Sequence, residues 1–132
     1  MPIQGFLKFI DNIRLRPHEH IREEHVKELL KLIKKDGFLN NPIIVDEHTL
    51  IILDGHHRFQ ALKRMGLTKI PCFLVDYKAD AIQVLSWRDG ENVSKQMVIH
   101  AGLSGTLLQP KTSRHVLPER PENLKIPLTS LR

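Results

Sequence analysis

An unbroken apolar run, Ile51-Ile52-Leu53, passes straight into Asp54-Gly55 and then into a helix-forming stretch that Gly66 closes. The run predicts a buried strand, Asp54-Gly55 a sharp turn, and the residues after it a short helix. Strand, turn and helix N-terminus therefore follow one another without a spacer. The first-turn N–H groups of a helix lack partners, its dipole puts positive charge there, and a glycine lets an anion approach the backbone closely. Arg58 adds a cationic fork on the same turn. By local grammar alone the segment reads equally well as a plain strand-to-helix turn with Asp54 as the helix cap.

The flanking chain supplies the scaffold. Phe9 to Leu15 alternates as an edge strand does, and Pro17 breaks it, leaving Glu19 in a loop or at a helix entrance. From about Ile21 to Asp36, Val26, Leu29, Leu30 and Ile33 recur at helical spacing, with Lys and Glu on the other face and Gly37 as C-cap. Asn40-Asn41-Pro42 predicts a turn, Ile43-Ile44-Val45 a strand, and Asp46 to Thr49 a hairpin loop. Ile70 to Tyr77 reads as a strand with Pro71 at its start, and Ala81 to Trp87 as a strand or short helix. Ser94 caps a helix running through Ala101 and ending near Gly102. Beyond Gly105 the chain is proline-rich and loop-like, yet it carries Val116, Leu124, Ile126, Leu128 and Leu131. Residues 103–132 are therefore expected to be extended chain docked on the core of a single domain, residues 1–132.

Bulk properties narrow the partners. A chain of 132 residues with 41% hydrophobic and 27% charged residues suits one globular domain. No apolar run approaches a membrane span and no secretory signal opens the chain, so a cytoplasmic location and no membrane partner are expected. The lone Cys72 lies in an apolar run and reads as buried and inert, and the eight histidines show no zinc-ligand spacing. Twenty Lys and Arg against fifteen Asp and Glu give +5, which favours a polyanionic partner. An aromatic content of 5% offers little base stacking, so charge alone argues weakly for nucleic acid.

Asp54-Gly55-His56-His57-Arg58, followed by a helix ending in Lys-Arg-Met-Gly and then by Ile-Pro, resembles the signature of the ParB/sulfiredoxin fold. The resemblance implies an α+β fold, a small mixed sheet with flanking helices. Three further segments narrow it: Arg16-Pro17-His18-Glu19, Trp87, and Pro110-Lys111-Thr112-Ser113-Arg114-His115-Val116-Leu117-Pro118. In that order they resemble segments of the free serine kinases, which phosphorylate the hydroxyl of unbound L-serine. Members of that family carry a substantial extra segment between the tryptophan and the Pro-Lys-Thr stretch, where only residues 88–111 intervene here. They usually have a second threonine where this chain has Ser113, which keeps the hydroxyl.

The resemblance implies roles. Gly55, His56, His57 and Arg58 would bind the phosphates of ADP or ATP, and Asp54, at the strand end, would act in catalysis and hold Mg²⁺. Glu19 would accept the proton of the attacking hydroxyl, although a loop glutamate by itself reads as merely solvated. Thr112, Ser113, Arg114 and His115 would clamp serine, with Trp87 as an apolar wall. His18, His20, His25, His48 and His100 read as surface residues. The chief rival is a ParB-like nucleotide-binding module of a DNA-associated or regulatory protein, for which nucleic acid becomes a possible partner. No helix-turn-helix pattern follows the motif. A sulfiredoxin-like reductase fits less well, because that family's motif has cysteine where this chain has His56.

Overall fold

The computed structural model describes residues 5–87, 92–117 and 120–132. Strand β1 (Gly5–Asp11) leads through a 3₁₀ turn (Asn12–Arg14) and an extended segment to helix α1 (Glu23–Asp36). Then come β2 (Phe38–Leu39), β3 (Ile43–Asp46), β4 (Ile52–Asp54), α2 (His56–Arg64), β5 (Lys69–Val75) and β6 (Gln83–Ser86). Helix α3 (Lys95–Ser104), β7 (Ser113–Val116), β8 (Ile126–Pro127) and a final 3₁₀ turn (Leu128–Leu131) complete the order.

The main sheet runs β1-β5-β3-β4, antiparallel except where β3 lies parallel to β5. Two small pairs, β2 with β8 and β6 with β7, accompany it. The apolar runs Ile43-Ile44-Val45 and Ile51-Ile52-Leu53 are unbroken because this sheet is covered on both faces. Ile43, Val45 and Ile52 join Val26 and Ile33 of α1 and Phe59 and Leu62 of α2 in one cluster. Ile44, Ile51 and Leu53 pack on the opposite side with Val98 of α3, Val75, Tyr77 and Ile82.

The α+β mixed sheet with flanking helices is as expected, and α1 ends as its sequence dictates, with Gly37 in the left-handed conformation at φ 79°. Several local readings are corrected. The first strand lies four residues earlier, since Asp11 caps the 3₁₀ turn through a bond from the Ile13 amide. Pro71 sits inside β5, not at its start, and β5 is an interior strand. β3 pairs with it only from Cys72 onward, so at Pro71 the strand has a neighbour on one side alone. Helix α3 runs past Gly102 to a left-handed Gly105. The segment beyond Gly105 is less loop-like than expected: β7 pairs with β6, β8 pairs with β2, and Ile126 and Leu131 are buried in the main core.

Candidate active site

The turn at the end of β4 sets the geometry. Gly55 is the N-cap of α2 at φ 103°, and a Cβ there would lie 2.6 Å from Ile43 Cγ2, so the position tolerates only glycine. No side chain caps α2. Asp54 is therefore not a helix cap; its Oδ2 accepts from Arg120 Nη1 at 2.5 Å and lies 3.6 Å from Arg58 Nη2. The helix's first turn opens onto a cavity of about 350 Å³ whose walls include Glu19, His25, Asp54 to Arg58, Trp87, Lys111 and Ser113.

Glu19 reaches that cavity because its segment is pinned on both sides. Arg16 bonds to the Leu50 carbonyl and accepts from Ile52, while His18 and His20 pair with Leu108. The outcome differs from that of a solvated loop residue, for Glu19 is only 8% exposed. Its carboxylate accepts from the Thr112 and Ser113 amides at 3.2 and 3.3 Å and from the Ser113 hydroxyl. Burial by itself would raise its pKa; the bonds from His18 and Ser113 outweigh that and lower it to about 2.

His18, expected at the surface, is fully buried at the centre of this network. Its Nδ1 lies 2.6 Å from the Ile52 carbonyl, and its Nε2 lies 2.8 Å from Ser113 Oγ and 3.2 Å from Glu19 Oε2. Ser113, His18 and Glu19 do not make a hydrolase triad, because the carboxylate holds the serine directly and a backbone carbonyl, not the carboxylate, occupies Nδ1.

Two more rings are fixed by backbone donors. The His18 amide donates to His56 Nε2 and the Arg22 amide to His57 Nε2, each at 3.0 Å. Each Nε2 is therefore unprotonated, and the neutral ring carries its proton on Nδ1. Burial, first, and neighbouring positive charge push both rings below the usual histidine range. His25, also read as a surface residue, stacks on His57 at 4.3 Å between ring centroids and lines the cavity.

Along β7 the side chains alternate. Thr112, just before it, and Ser113 and His115 are buried, while Arg114 is exposed with its guanidinium 5.1 Å from the Trp87 ring centroid. His115 Nε2 lies 2.7 Å from the Tyr77 hydroxyl, and burial lowers its pKa to about 4. Trp87 is 57% exposed and stands at the rim of the cavity and of a second one of about 340 Å³. The Glu19, Gly55 and Ser113 segments thus meet at one cleft, and Arg114 is turned to the outer side of its strand. Sequence reading missed His18, His25, Lys111 and Arg120. His18 and Lys111 lay inside quoted segments, beside Glu19 and Thr112, but no spacing pattern marks His25 or Arg120.

A mixed sheet whose strand end, glycine turn and uncapped helix N-terminus open onto a polar cleft makes this an α+β domain with an anion-accepting strand-turn-helix at its centre. Residues 7–92 match the ParB N-terminal domain family, and the chain belongs to it. A "ParB-like protein" of Sulfolobus acidocaldarius is 40% identical over 81 residues, which span 61% of this chain and 40% of that protein. An "ATP-dependent L-serine kinase" of Staphylothermus marinus is 34% identical over 82 residues, 59% of this chain and 32% of that protein. The matched stretch thus spans well under half the length of these relatives. Among solved structures, a "Free serine kinase in complex with AMP" superposes with a TM-score of 0.88 over 100% of this chain and 96% of that one, at 16% identity. That likeness is one of fold. Among the described residues no helix is long and apolar enough to cross a membrane.

Proposed function

We propose that the chain transfers a phosphoryl group from ADP or ATP to the hydroxyl of free L-serine, giving O-phosphoserine, and does so in the cytoplasm. The observation that carries the reading is the shared cavity: Glu19 and the N-terminus of α2 line the same 350 Å³ space. Phosphoryl transfer mainly requires donor and acceptor to be held in line and the charge between them neutralised. The first-turn amides of α2 and Arg58 hold the donor phosphates. Glu19 orients the acceptor hydroxyl and takes its proton. Its low pKa makes it a weak base at rest, so acceptor binding must displace part of the Ser113 and Thr112 hold on it. Ser113, Arg114, His115 and Trp87 line the acceptor side, and Thr112 supports it from behind through its amide on Glu19.

Mg²⁺ usually takes one or two carboxylates together with substrate phosphates. Asp54 in the cleft wall supplies such an oxygen in its Oδ1, its Oδ2 being held by Arg120, whereas both oxygens of Glu19 are already bonded. The donor set fits a cation held by Asp54 and the nucleotide. When bound, it would neutralise the transferring group.

The test is O-phosphoserine formation by the purified protein with L-serine, Mg²⁺ and ADP or ATP. Glu19→Gln lowers turnover at least about tenfold while nucleotide binding persists; unchanged turnover removes Glu19 from the mechanism. The family match and the 40% identical ParB-like relative favour a second reading, a nucleotide-binding module without a small-molecule acceptor. A thermal-shift panel including CTP separates the two, since selective stabilisation by CTP with no phosphoserine favours the module.

A further inference from the structure

The second cavity adjoins the first, sharing Asp54, Trp87 and Ser113 with it, and its charged lining is Asp54, Arg114 and Arg120. The two arginines differ in state. Arg114 is exposed and lies against the Trp87 ring. Arg120 is held at two points, Nη1 on Asp54 Oδ2 at 2.5 Å and Nη2 on the His115 carbonyl at 3.3 Å, with its side chain 30% exposed. A guanidinium fixed in this way has already lost its rotamer freedom, and its planar fork keeps further N–H donors for a bidentate partner. In the lining of the second cavity the one carboxylate, Asp54, stands against two guanidiniums, Arg114 and Arg120, and Arg58 draws on the same carboxylate from the first cavity. That leaves net positive charge in a concave, partly shielded place, which is complementary to an anion.

We propose that Arg120 is the specificity residue of the acceptor side, its fork receiving the α-carboxylate of the amino acid, with Arg114 and Trp87 as the outer lip. The inference rests on the serine-kinase reading and deepens it: the acceptor class is an α-amino acid with a side-chain hydroxyl, as distinct from a simple amino alcohol. Because Arg120 is bonded to the residue beside the donor phosphates, a carboxylate docked on it brings the acceptor up to the cleft.

The experiment compares L-serine with ethanolamine, which has the same hydroxyl and ammonium but no carboxylate, in the wild type and in Arg120→Gln and Arg120→Lys. The wild type prefers L-serine in kcat/KM. Arg120→Gln raises the KM for L-serine about 30-fold, as loss of a charge-assisted bidentate contact predicts. The KM for nucleotide stays within about threefold, and the preference over ethanolamine collapses. Arg120→Lys, which keeps the charge but loses the fork, guards against misfolding of the glutamine variant and still raises the serine KM about fivefold. A folded variant that keeps the wild-type serine KM and preference overturns the assignment. If the wild type phosphorylates neither compound, the kinase reading fails, and calorimetry with L-serine and ethanolamine then decides the assignment. Carboxylate-dependent binding that is lost in Arg120→Gln upholds it, and no such binding in the wild type overturns it.

Discussion

At the scale of single residues, burial and hydrogen bonding decide which groups are chemically special. Glu19 and His18 are adjacent in a segment whose proline and charges suggest solvent, yet both are buried, each satisfied by partners more than thirty positions away. The buried Glu19 carboxylate with its four donors stays ionised, and the buried His56 imidazole, with the His18 amide aimed at its lone pair, stays neutral. These states make stability fall with acid. The folded pKa of His115 is about 4 against an ordinary 6.5, so below 6.5 the unfolded chain takes up the proton first and stability drops as the pH falls towards 4. Glu19, about 2 folded against 4.5, contributes stability above 4.5 that is lost as the pH falls from 4.5 towards 2. Both windows have the same sign. The urea midpoint is therefore expected to decline from pH 7 to pH 4, with a slope of up to about 1.4 kcal/mol per pH unit for each such histidine. His115→Gln should flatten that part of the curve. A midpoint independent of pH over this range would mean that the ring is solvated.

At the scale of elements, helix α3 shows how context reverses a propensity. Glycine inside a helix costs about 0.5–1 kcal/mol relative to alanine, and the sequence therefore suggested that the helix stops near Gly102. Instead Gly102 is buried against the opposite cluster, where a Cβ would meet Ile51 Cδ1 and Cγ1 at 2.7 Å. Ile51 is fully buried and cannot move aside easily. Overpacking of this kind costs about 1–3 kcal/mol, more than the propensity gain. Gly102→Ala should accordingly lower the thermal midpoint; a rise would show that α3 stands off the sheet. Pro71 gives the same lesson in β5: a proline was read as a strand start because a paired strand needs its N–H, but β3 begins pairing one residue later. Neither neighbour was visible from the local pattern.

For the whole molecule, the late chain is what turns a strand-turn-helix module into a walled cleft. β7 brings Ser113 and His115 against Glu19, His18 and Tyr77, Arg120 reaches Asp54, and Leu131 anchors the last turn in the main core. Leu131→Ala should cost about 2–5 kcal/mol in urea unfolding, as does deletion of a fully buried side chain elsewhere. A cost below about 1 kcal/mol would mean that this segment is only loosely seated. The amino-acid sequence by itself determined the elements whose cause is local: α1 with its apolar stripe and Gly37 cap, the two apolar runs, and the glycine turn that presents the first amides of α2. These follow from periodicity and backbone sterics, which act within a few residues. Only the tertiary structure decided that His18 is buried, that Asp54 pairs with Arg120 instead of capping a helix, and that Arg114 faces outward on β7. Those states depend on groups brought together over tens of residues, where desolvation and the positions of opposing donors outweigh anything a local pattern encodes.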